Sequence, residues 1–238
     1  MANLHIFGDS FSVDWQAYYS RRDSKDGLPG QNLYYRWVKR KPLHFAEIIQ
    51  KEFKLNKIFY HAKSASDNYR VMESIGKRIN SIKKDDYVCI GWSDITRYRI
   101  IIGDVWVTIF ANGFTAPPQF EKDIEKPFVE QTWRRDSGDI WPGKSDLVGE
   151  GTNLTIKEIA NWQNILLKSL PKNTIFWSPF DRKQSRYPWT IIPDAFETIA
   201  DATDGVIDDC HASEKGHEEI GKFLVNIFKN NPYKKQLL

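Results

Sequence analysis

The stretch Leu4-His5-Ile6-Phe7-Gly8-Asp9-Ser10-Phe11-Ser12 decides how the chain is read. A short, mostly apolar run forms a strand, a glycine permits a tight turn, and the turn presents a serine hydroxyl just past the strand. Outward from there, Phe45, Ile48, Ile49 and Phe53 have helical spacing, and Lys57 to Tyr60 read as a second strand. Val71, Ile75 and Ile79 give another helical stripe, and Tyr87-Val88-Cys89-Ile90 reads as a buried third strand. Further on, Ile156, Ile159, Ile165, Leu166 and Leu170 mark a helix closed by Pro171, followed by the strand Thr174-Ile175-Phe176-Trp177. A last helix from Ser213 carries Ile220, Phe223, Leu224, Ile227 and Phe228 on one face. Helices alternating with short apolar strands predict an α/β domain with a mostly parallel sheet covered on both faces. Ligands gather beyond the carboxyl ends of such strands, which puts Ser10, Ser93 and the loop after Trp177 on one rim.

Other segments depart from this alternation. Residues 99 to 109 are β-rich around Gly103-Asp104 and predict a hairpin. Residues 13 to 41, with Asp26-Gly27-Leu28-Pro29-Gly30, read as a long loop, and 110 to 152, with Pro117-Pro118 and Pro142, as an insertion. Residues 181 to 193 form another polar and aromatic loop. At 238 residues the chain fits one α/β domain, spanning 1 to 238 with these segments inserted.

Composition narrows the function classes. A formal net charge of +3, from 34 basic and 31 acidic residues, offers no electrostatic case for nucleic acid or an anionic membrane. Two cysteines, Cys89 and Cys210, suggest neither a disulfide framework nor a zinc site, and no metal or other cofactor is expected. The first residues lack the regions of a signal peptide, and no apolar run is long enough to span a bilayer. The expected location is cytoplasmic, or virion-associated for a viral protein. Nine Trp and ten Tyr fit either a broad ligand-contacting surface or the stapling of long loops to the core.

A serine hydroxyl attacks only when a base removes its proton, and the base needs a partner to fix its tautomer. The segment Asp208-Asp209-Cys210-His211 supplies both, ahead of the last helix. An aspartate three residues before the histidine can fold back so that its carboxylate meets the ring Nδ1, leaving Nε2 to face Ser10. Asp9 is expected to brace the serine turn, and the Ser10 N–H to serve an oxyanion.

Gly8-Asp9-Ser10-Phe11-Ser12 resembles the first block of the SGNH/GDSL hydrolases, and Asp208-x-x-His211-Ala212-Ser213-x-x-Gly216-His217 resembles their last. The resemblance implies a three-layer α/β/α flavodoxin-like fold, ester hydrolysis, and a catalytic set of Ser10, Asp208 and His211 with Asp209 as a solvated neighbour. The segment 62 to 70 is similar to the family's glycine block with Ala65 where glycine is usual, and Gly91-Trp92-Ser93-Asp94 stands where the family has Gly-x-Asn-Asp. The implied oxyanion hole is therefore Ser10, Ala65 and Ser93. Losing one strong donor costs on the order of 10²–10³ in rate, which slows such a site without abolishing it.

Around this centre, Asn68 and Arg70 organise the oxyanion loop or satisfy local backbone groups. Arg97 binds an anionic substrate group or pairs with Asp94, and Trp177 forms an aromatic wall or belongs to the core. The expected substrate contacts are Asn68, Arg97 and Trp177. His217 reads as structural, and His5, His44 and His61 as isolated residues. Two functions follow: a serine esterase acting on a small-molecule or carbohydrate ester, or a degenerate relative that binds carbohydrate or protein through the same fold.

Overall fold

A computed structural model describes residues 1–15, 30–63, 66–93, 97–102, 105–110, 156–179, 190–191 and 196–230. Its centre is an open, all-parallel sheet. Strand β1 (Leu4–Phe7) lies between β2 (Ile58–Tyr60) and β3 (Tyr87–Gly91), and β6 (Asn173–Ser178) and the two-residue β7 (Thr190–Ile191) continue beyond β3. The order β2-β1-β3-β6-β7 is consistent with a flavodoxin-like sheet, in which the chain reverses direction of build at β1 and β3 and opens a crevice there. Every residue of β1 is buried, as are the last four of β3 and the last five of β6. That pattern explains why these strands read as continuous apolar runs rather than alternating ones.

The helices are α1 (Gly30–Val38), α2 (Phe45–Glu52), α3 (Asn68–Gly76), α4 (Ile156–Ser169), α5 (Ile199–Ala202) and α6 (Glu214–Asn230). Helix α2 begins at a capping box built on a histidine: His44 Nδ1 accepts the Ala46 N–H at 3.2 Å, and Glu47 accepts the His44 N–H at 3.0 Å. Helix α6 buries Ile220, Leu224, Val225 and Phe228. It meets α2 so closely that a Cβ on Gly221 would sit 2.6 Å from Ile48 Cδ1. Together with Ile159, Leu166 and Leu167 of α4 and Leu170 just after it, these side chains join the strands in one core.

The second half of the expected 13–41 loop differs from its reading, because residues 30–38 form a helix. Tyr34 is buried against Trp15, Ile199 and Ile207, with Val38 packed beside them. The hairpin is present as β4 (Arg97–Ile102) antiparallel to β5 (Val105–Phe110), with Ile102 opposite Val105. The insertion beyond residue 110 lies outside the described residues, as does the expected 181–193 loop except for Thr190–Ile191, which instead form β7 against β6. Among the described residues no helix is long and apolar enough to cross a membrane.

Candidate active site

The turn after β1 is held by Asp9. Its Oδ1 accepts the Phe11 N–H at 3.1 Å and its carbonyl accepts the Ser12 N–H at 3.0 Å, winding Ser10–Ser12 into a single 3₁₀ turn. Gly8 has φ +149°, a conformation that side chains rarely adopt, and a Cβ there would lie 2.5 Å from Ser12 Oγ. The same Ser12 hydroxyl would lie 2.7 Å from a Cβ on Gly91, at the end of β3. Fully buried Ser12 thus fills the space left by two glycines between the ends of β1 and β3.

Ser10 Oγ stands 2.7 Å from His211 Nε2. On the far side of the ring, His211 Nδ1 is 2.5 Å from Asp209 Oδ1, and that same oxygen accepts the His211 backbone N–H at 2.8 Å. The partner of the histidine is therefore Asp209, and the expectation for Asp208 is corrected: Asp208 is exposed. The reason is local. An aspartate readily accepts from the N–H two residues on, forming an Asx turn, and the turn begun at Asp209 brings its carboxylate under the ring. Because an ionised Asp209 can only accept, Nδ1 carries the proton and Nε2 offers its lone pair to the serine.

The loop carrying His211 is pinned from both sides. The His211 carbonyl accepts the Ile199 N–H at 2.8 Å, and the Asp209 carbonyl accepts the Ala200 N–H at 3.1 Å. Ser213 caps α6, accepting the Gly216 N–H at 3.2 Å while donating to Glu197 at 2.6 Å. Phe11 lies against the imidazole, with ring centroids 4.5 Å apart, a contact that sequence reading missed. Behind the site, His217 is buried. Burial, with the neighbouring His211 as a smaller cause, pushes its pKa down to about 3, so it adds no positive charge beside the base.

The remaining expected residues separate into groups. Asn68 is fully buried, and its side-chain amide accepts the Ser93 N–H at 2.8 Å and donates to the Ser93 carbonyl at 3.1 Å. Asn68 is a positioning residue for the loop after β3, in place of the expected substrate contact. Ser93 is buried, and its hydroxyl has no hydrogen-bond partner among the described residues. Trp177 is corrected to a core residue: wholly buried in a central strand, it packs edge-on against Phe45 at 5.4 Å and covers Gly91. Ala65 lies outside the described residues, as does the side chain of Arg97, which opens β4. Asp209, Cys210 and His211 form the metal-compatible cluster found among the described residues, with ligand atoms within 4.8 Å. In it, Asp209 and His211 are bonded to each other.

Comparison with family models, curated proteins and solved structures finds no match for this chain.

Proposed function

We propose that the protein is a serine hydrolase that cleaves a carboxylic ester through an acyl-Ser10 intermediate. The supporting observation is the continuous chain from Ser10 Oγ through His211 to Asp209, at 2.7 and 2.5 Å, in the protonation order that a general base requires. Ser10 Oγ attacks the ester carbonyl carbon while its proton passes to His211 Nε2. The imidazolium is stabilised by Asp209, and collapse of the tetrahedral intermediate expels the alcohol, which takes the proton back from Nε2. Water then repeats the sequence on the acyl-serine and releases the acid. The Ser10 N–H and the Ser93 hydroxyl are the donors assigned to the oxyanion, with Ala65 as a third.

This reading includes the finer fold, a three-layer flavodoxin-like domain of the SGNH/GDSL type with segments inserted near 13–41 and 110–152. The aromatic-rich composition favours an acylated carbohydrate as the substrate. A degenerate binding module is the competing reading. It draws on the engagement of the Ser93 N–H by Asn68, which leaves Ser93 only its side chain for an oxyanion.

Labelling with a fluorophosphonate probe, followed by peptide mass spectrometry, separates the two. Modification at Ser10 that disappears in Ser10→Ala and His211→Ala supports the hydrolase. Folded wild-type protein that takes no label overturns it in favour of the binding module.

A further inference from the structure

A cavity of about 480 Å³ opens beside the sheet-edge strand β2 and reaches Gly8, two residues ahead of Ser10. Helix α3 and the turn after it line one wall with Arg70, Glu73, Lys77 and Arg78, spaced so that one helical face meets the cavity. Lys63 comes from the segment following β2. Lys77 is paired with Glu73 at 2.7 Å, whereas Lys63, Arg70 and Arg78 have no ion pair among the described residues. The chain as a whole carries a net charge of only +3, so three uncompensated cations around one cavity are a local concentration rather than a general property of the surface.

His61 also lines the cavity, and it ends a buried relay. The Asp86 carboxylate accepts from His5 Nε2 at 3.1 Å, and His5 Nδ1 meets His61 Nε2 at 3.1 Å. Asp86 is itself held by the N–H groups of Asn3 and Lys83, at 2.8 and 3.0 Å. With Asp86 ionised, His5 carries its proton on Nε2 and accepts at Nδ1, so His61 donates from Nε2 and keeps Nδ1 as an acceptor. Burial pushes the His61 pKa down to about 4, which keeps the ring neutral near pH 7. The cavity wall thus combines strong donors for oxyanions with a neutral imidazole.

We propose that this cavity binds a phosphate-type dianion, with Arg70, Arg78 and Lys63 surrounding its oxygens and His61 accepting from a protonated oxygen of the ligand. Guanidinium forks match phosphate geometry, and paired arginines with a lysine neutralise a dianion where a single cation would not. That the dianion is part of the substrate presented to Ser10 rests on the hydrolase reading; the binding itself does not.

The test is calorimetric titration of inorganic phosphate into wild-type protein, Ser10→Ala, Lys63→Gln and the double variant Arg70→Gln/Arg78→Gln. Wild type and Ser10→Ala are expected to bind with equal affinity, weakening as sodium chloride rises, and the double variant at least about tenfold more weakly. Exposed Lys63 is expected to contribute several-fold, and its variant reports on the cavity even where the double variant fails to fold. Absence of saturable binding to wild type, or unchanged affinity in the folded variants, overturns the proposal. Phosphate binding to a protein that takes no fluorophosphonate label would retain the cavity and discard only its link to ester hydrolysis.

Discussion

At the scale of single residues, two adjacent aspartates have opposite fates. Asp209 fixes the His211 tautomer, so Asp209→Asn is expected to lower kcat on the order of 10³–10⁴-fold with little change in KM, while Asp208→Asn leaves both unchanged; steady-state kinetics on an activated ester checks this. The serine and histidine were legible because the proposed chemistry demands those residue types beside strand and helix boundaries. The choice of aspartate was not, because it depends on a two-residue Asx turn whose carboxylate also holds the His211 N–H. Gly8 makes a second case. Gly8→Ala meets both an unfavourable φ and Ser12 Oγ, and is expected to destabilise by about 1–3 kcal/mol, read as a fall in the chemical-denaturation midpoint.

At the scale of elements, β1, β3 and β6 were readable because each is a short apolar run buried along almost its whole length, whereas the two-residue β7 sits in a stretch that reads as a loop. Helix α1 was hidden because Pro29-Gly30 and the polar residues around it signal turns, while its packing depends on Trp15, Ile199 and Ile207, which no local window contains. The cap of α2 was hidden for a related reason: histidine is not among the usual capping residues, yet His44 performs the role. Capping also links stability to the site. Ser213 ends the His211 loop and begins α6, so Ser213→Ala is expected to cost about 1 kcal/mol, lowering Tm by about 2–4 °C, while Ser10 labelling slows as the loop loosens.

At the scale of the whole molecule, the sheet order brings the ends of β1 and β3 to one rim, and the loop ahead of α6 carries His211 to Ser10 on that rim. The fold also holds several histidines in a neutral state. Burial is the leading cause that lowers His5 and His44, and it pushes His61 down to about 4 and His217 to about 3, against an ordinary value of 6.5. Below that ordinary value the unfolded chain takes up protons that the folded chain refuses. This contribution to stability is complete above about pH 6.5 and is lost as pH falls toward 4 and then 3, at about 1.4 kcal/mol per pH unit for each such group. Melting temperature measured from pH 7.5 to 4.5 is expected to hold level and then fall, and His217→Gln to make the fall shallower. The separation of Ser10 and His211 by 201 positions has a consequence for synthesis. On the proposed reading, a partly synthesised polypeptide that has the Ser10 turn but not yet the His211 loop carries an inert alcohol, and reactivity requires the long-range contact that joins the two.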